Sequence, residues 1–401
     1  MRRRQSIAAM AGGVVAWSAT ASTRLRAPQL LDTPEAMAQV AAGGPTGMLA
    51  VGASGVLFAL PQDGGRARRL ADGIDPETPL ALGHGRIAAR RRDGALWVLE
   101  GGRAGVSAQR TLVPRAGLLV LPLAVIGIGL EGTTHRVTRL EPAGTGSWGR
   151  AARSAIEVMP DARPIQADLD GAGDGGHVVV LAGPDTERYR HGVLGDAIES
   201  TRLVLLERHS LAVMREVVLD MPDVLEDIAP RPVRLGSREG LLTVRSGPHG
   251  AQLALVDADP AAAGALRVAA TGPAMGVVNR WLSPTTDGVR WLAVHTPHIG
   301  GVLHEYRRAG DRLLASRVLA GVSNHRIGSR ELDLAAWQGQ RLLIPDQARR
   351  QMLALDGRRD WLRVHEWPLS SPVSVTASLG SVGGVAILHE DGTVAIARLP
   401  S

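Results

Sequence analysis

Short apolar runs, each closed by Gly, Pro, Asp or Asn, recur along this chain in sets of four, with a period of roughly 45–50 residues. That repeat constrains the fold more than any other feature. Runs of this length lack the 3.6-residue periodicity of helices and read as strands, so the chain is expected to be all-β. The clearest set occupies residues 231–235, 240–247, 251–258 and 265–272. The next runs over 281–284, 289–297, 301–310 and 312–321, and a third over 331–337, 341–347, 351–357 and 361–369. Four strands per repeat at this period is the signature of a β-propeller blade.

Softer units fit residues 36–71, 79–113, 116–158 and 165–220, the last with a loop inserted at 184–200. The final set, 373–380, 383–392 and 393–399, lacks a fourth strand, which residues 24–31 near the chain start could supply. Pairing of the two ends closes the ring and removes exposed sheet edges. The expected architecture is a single propeller over residues 22–401, with about eight four-stranded blades and seven as the alternative count. Only 3% of residues are aromatic, so the core must be built from Val, Leu, Ile and Ala. There is no cysteine, and stability must come from packing and strand pairing.

The chain begins with Arg2, Arg3 and Arg4, followed by an apolar stretch over residues 7–17 and Ala19-Thr20-Ala21. A positive segment, a short apolar segment and a small-residue cleavage site make a secretory signal peptide, so residues 1–21 are expected to be removed on export to the periplasm or the medium. The RR pair bears on twin-arginine export as well, although Ser6 replaces the usual Phe. A second apolar stretch, 116–130, holds Pro122, Gly127 and Gly129 and is too short to span a bilayer, so it reads as two buried strands. The net charge of +6 comes entirely from arginine, for the sequence contains no lysine. No basic run alternates with aromatics as a nucleic-acid surface would require, so no nucleic-acid partner is expected.

One stretch, IQADLDGAGDGGHVVVLAG at 165–183, is unlike the rest. A strand breaks into an Asp/Gly loop and returns as a run of β-branched residues. Asp168, Asp170 and Asp174 are closely spaced oxygen ligands of the type calcium favours, which makes calcium the candidate cofactor. The stretch resembles the FG-GAP/VCBS repeat family, whose units carry a DxDxDG loop between the first two strands of a propeller blade. Here Ala172 stands where the third Asp belongs and Asp174 is displaced by two positions. The resemblance implies a propeller with metal-binding loops, of which one damaged copy survives.

In a propeller with strands A to D, the A–B loops lie on one face, and the B–C and D–A loops on the other. The second face collects the polar residues of units four to seven: Arg190, His191 and Asp196 in the insertion, then Asn279, Arg280, Trp281, His298, Asn324, His325, Ser329, Arg330, Asp346 and Gln347. Loops on a rigid scaffold are where binding residues concentrate, so these form the candidate site for a protein, glycan or small-molecule partner. The competing structural role is to tie down loop backbone by local hydrogen bonds. HxxH at His295 and His298 is a weak zinc pattern. No GxSxG elbow, P-loop or dinucleotide fingerprint is present. The expectation is therefore a non-catalytic binding or scaffold protein, with a hydrolase or lyase built on His191, His298 and His325 as the alternative.

Overall fold

The computed structural model describes residues 27–43, 47–173, 175–259, 265–380 and 383–399. Among these, the strands group into eight four-stranded antiparallel blades. Blade one is Met37–Ala42, Met48–Gly52, Leu57–Ala59 and Arg68–Ala71, and blade two is Ala81–Gly83, Arg86–Arg90, Leu96–Glu100 and Arg103–Ser107. Blade three is Leu119–Leu121, Ala124–Glu131, Thr134–Gly144 and Ser147–Arg153, so the apolar 116–130 stretch becomes two strands. Blade four is Ile165–Ala167, His177–Asp185, Glu199–Leu206 and Val213–Val218. Blade five is Arg231–Leu235, Arg238–Ser246, Gln252–Ala258 and Leu266–Thr271. Blade six is Leu282–Thr286, Trp291–His295, Val302–Ala309 and Arg312–Ala320, and blade seven is Ala336–Gln338, Arg341–Pro345, Gln351–Asp356 and Leu362–Pro368.

Blade eight takes Val373–Ser378, Val385–His389 and Val394–Ala397 from the chain end and Gln29–Leu30 from its beginning. Gln29 faces Ile396 and Leu30 faces Ala395 in an antiparallel pair, and the Leu31 amide donates to the Val394 carbonyl at 2.8 Å. The signal peptide expected over residues 1–21 lies outside the described residues. Among the described residues no helix is long and apolar enough to cross a membrane.

Packing between blades follows from the sequence pattern. Second strands such as His177–Asp185 bury side chains on both faces, because each blade is covered by a neighbour on each side. The buried clusters run from blade to blade around the disc. Leu49, Val51 and Leu57 of blade one meet Ile87, Ala89 and Trp97 of blade two. Met48, Ala50 and Phe58 meet Ala386, Leu388 and Ile396 of blade eight. Blades six and seven share Leu292, Val294, Leu342 and Ile344, and blades seven and eight share Leu343, Ala354, Val385 and Ile387. Each fully buried Leu, Ile or Val contributes about 1.5–3 kcal/mol, so a core poor in aromatics still holds the ring.

Further contacts link blades edge to edge. The Val224–Leu225 bridge pairs with Ser200 of blade four and Ser246 of blade five. One boundary differs from the sequence expectation: the first strand of blade seven is Ala336–Gln338 rather than 331–337. Leu332 and Leu334 are buried, and the Asp333 carboxylate accepts the Ala335 amide at 2.9 Å, so this segment is a loop clamped by its own side chains.

Candidate functional site

The loop inserted in blade four (186–198) joins that blade's second and third strands and lies on the face that carries the D–A connections. It crosses this face as a strap and is tied down by successive connections. Tyr189 is buried, and its hydroxyl accepts the Asn279 amide at 2.8 Å. His191 Nδ1 meets the buried Glu226 carboxylate at 2.5 Å. Val193 and Leu194 are buried with Ile228, Trp281 and Leu332, and the Val193 carbonyl accepts the Gly328 amide at 2.8 Å. At the strap's far end Gly195 has φ +102°, and a Cβ there would collide with the Arg330 guanidinium and the Gly328 carbonyl, so only glycine fits. Asp196 is ion-paired to Arg330, whose Nε also donates to the buried Asp161 at 2.7 Å.

Behind the strap sits an aromatic and imidazole cluster. Trp281 is 2% exposed and donates its indole N–H to the Glu226 carbonyl at 3.2 Å. Its ring lies parallel to that of His298 and tilted against that of His325, with centroids 6.1 and 4.7 Å away. His325 Nε2 is 2.9 Å from the Ser329 carbonyl, which can only accept, so Nε2 carries the proton. In the neutral ring Nδ1 is then the acceptor for His298 Nε2, also at 2.9 Å. Both nitrogens of His325 are thus engaged internally.

Burial holds His298 down to about 4 and His325 down to about 3. A histidine whose folded value is depressed adds stability above its unfolded value of about 6.5, and that stability is lost as pH falls through the window toward the folded value. For His325 alone the loss between pH 7.5 and 5 is on the order of 2 kcal/mol. His325→Asn is therefore expected to show a smaller deficit against the parent at pH 5 than at pH 7.5, checked by urea unfolding at both values.

The remaining candidates are mostly loop ties. Asn324 is fully buried and donates to Asp333 at 2.9 Å and to the Ser283 carbonyl at 3.3 Å. Gln347 accepts the Gly301 amide and donates to the Pro297 carbonyl, fastening a blade-six loop to blade seven. Asp346 accepts the amides of Arg350 and Gln351, and Ser329 accepts that of Glu331. Arg190 is exposed and pairs with Glu187, whereas Arg280 is exposed with its backbone held by Val277 and Ala251. The structure thus brings the polar residues of units four to seven into one sector, where most of their donors and acceptors are spent on the loops themselves.

On the opposite face, the Asp168 carboxylate accepts the amides of Ala172 and Gly173 at 3.1 and 3.0 Å, and Asp170 accepts that of Ala172 at 3.3 Å. Asp174 lies outside the described residues. His295 does not join His298: its Nε2 faces the Tyr306 hydroxyl at 2.5 Å and its ring stacks on His304. Among the described residues no group of three or more His, Asp or Glu side chains is arranged to hold a metal ion.

Open space adjoins the strap's far end. A cavity of about 540 Å³ lies on the ring axis, walled by the inner strands of blades one and eight and by D–A connections. Its charged lining is Glu77, Arg115, Arg163, Arg326, Arg330 and Glu331. Only Arg330 was a candidate from the sequence. The others sit on D–A connections that turn in toward the axis, and the repeat register was the signal that could have found them.

No family model matches this chain, and no curated protein matches it. Among solved structures it is similar to BamB from Moraxella catarrhalis, at 14% identity and TM-score 0.57, covering 94% of this chain and 97% of that one. It is also similar to Sqt1 from Saccharomyces cerevisiae, at 10% identity and TM-score 0.59, covering 94% of this chain and 100% of that one. These likenesses establish the propeller fold.

Proposed function

We propose that this chain is an exported, non-catalytic binding scaffold whose protein partner docks on the loop face of blades four to seven. The observation that carries the reading is a set of exposed apolar side chains on the loops of that sector. Met221 is 73% exposed, Val277 54%, Val278 50%, Ile299 63% and Ile327 63%. Apolar groups gathered on one loop face, over a rigid buried base, are the composition of a protein-docking patch. The imidazoles beneath are locked in internal hydrogen bonds, which suits a support better than an acid–base catalyst. Export, with a periplasmic or secreted destination, rests on residues 1–21, and kinship with FG-GAP/VCBS units rests on the 165–183 stretch.

The test compares partner retention from the exported fraction of the native cell. Wild type and Val289→Asp, which alters an exposed apolar residue on the other face, are expected to retain the same protein, and Ile299→Asp with Ile327→Asp to lose it. Equal retention by all three, or by none, would overturn the reading. Export is checked by the mass of the mature chain, expected to begin after Ala21.

A further inference from the structure

The charges around the axial cavity do not all find partners. Arg115 is paired with Glu77 at 2.9 Å, and Arg330 is committed to Asp161 and Asp196. Arg326, half exposed, lies 4.0 Å from Glu390, which also serves Arg349. Arg163 and Glu331 remain. Among the described residues neither has an ion-pair partner within 4.0 Å, and both line the cavity.

Both groups are recessed below the rim, surrounded by protein yet still reached by solvent within the cavity. Arg163 spends one N–H on the Arg330 carbonyl at 2.6 Å, and its Nε has no partner. Burial pulls the Arg163 guanidinium down and pushes the Glu331 carboxyl up, with each group's charge opposing the shift of the other. A cation and an acid held apart in a partly desolvated cavity are costly unless something bridges them. Water is one group that can bridge such a pair. A molecule with both charges at matching separation would do so better, because its bonds form where competing water is limited.

We propose that the axial cavity binds a small zwitterion, its carboxylate facing Arg163 and its ammonium facing Glu331. The aliphatic segment between the charges lies against Val40, Leu80 and Val375 of the cavity wall. The two protein groups do not pair directly, so the ligand must reach both at once, and the length of its aliphatic segment sets the fit. The cavity volume exceeds that of such a molecule, leaving room for bridging water. This site adjoins the protein-docking patch along the 326–330 loop, but its ligand and its readout differ, so either reading can fail without the other.

The experiment titrates the mature protein by calorimetry with glycine, β-alanine, 4-aminobutyrate and 6-aminohexanoate, and with acetate and ethylamine as single-charge controls. One chain length is expected to bind about tenfold or more tighter than either control. Arg163→Gln and Glu331→Gln are each expected to weaken that ligand by about tenfold, with the unliganded melting curve showing whether the variants fold. Because the length series uses the parent protein, it decides the matter even if a variant does not fold. Acetate binding as tightly as every zwitterion would make this an anion site and overturn the proposal, as would no binding by any probe.

Discussion

Trp281→Ala is expected to destabilise the fold by about 3–5 kcal/mol, the range for removing a buried Trp. The indole is 2% exposed and packs in the cluster that holds Val193, Leu194, Ile228 and Leu332, so its loss undercuts the strap as well as the blade interface. It also leaves the Glu226 carbonyl without the 3.2 Å donor it now has, and removes the ring against which His298 and His325 lie. Trp281→Phe keeps most of the apolar area but loses the hydrogen bond and some ring packing, and should cost about 1–3 kcal/mol. Urea unfolding gives both numbers. Limited trypsin digestion gives the local consequence, since Arg190 lies on the strap and is already exposed. Faster cleavage there in Trp281→Ala than in Trp281→Phe would show that the indole anchors the strap. Equal cleavage would place the loss in the blade core alone.

The blades were legible in the sequence because the strand signals are local. Alternation, β-branched runs and Gly/Asp punctuation placed the strand expected at 351–357, which is Gln351–Asp356 in the structure, and that at 251–258, which is Gln252–Ala258. The missed boundary at 331–335 has a non-local cause: Leu332 and Leu334 look like alternating strand residues, but they fill gaps between blades. The site was legible as a set of polar loops and not as a mechanism. Asn279 adopts φ +59° and gives its backbone N–H to Tyr189, ninety positions away in sequence, a tie between loops that local patterning does not announce. Gln347 likewise has its amide consumed by Gly301 and Pro297. Conversely, Ile299 and Ile327 read as ordinary apolar residues until the loops leave them outside. The charged lining of the axial cavity was legible only through the repeat register, because the cavity forms where distant connections converge on one axis.

Arg330→Ala is the second change with a large expected effect, and its sign can be worked out from charge. The guanidinium binds Asp161 and Asp196 together, while the backbone carbonyl of the same residue holds Arg163. Burial already pushes the Asp161 carboxyl up, Asp196 adds to that push, and Arg330 is the main group opposing it. Removing the cation leaves two carboxylates facing each other with one of them buried, a loss of about 3–5 kcal/mol at neutral pH. An acid whose folded value is raised contributes most below its unfolded value, and that contribution is lost as pH rises through the folded one. The variant raises the folded value further, so its deficit should be largest at pH 7.5 and shrink by about 1–2 kcal/mol at pH 5, where the pair can take up a proton. This trend has the same direction as that expected for His325→Asn, but a different origin, and Arg330→Ala combined with Asp161→Asn separates them. Neutralising the buried acid should recover part of the loss at pH 7.5 and flatten the variant's pH dependence. A deficit that stays constant between the two pH values would assign the effect to lost packing of the arginine stem, and the charge account of this junction would fail.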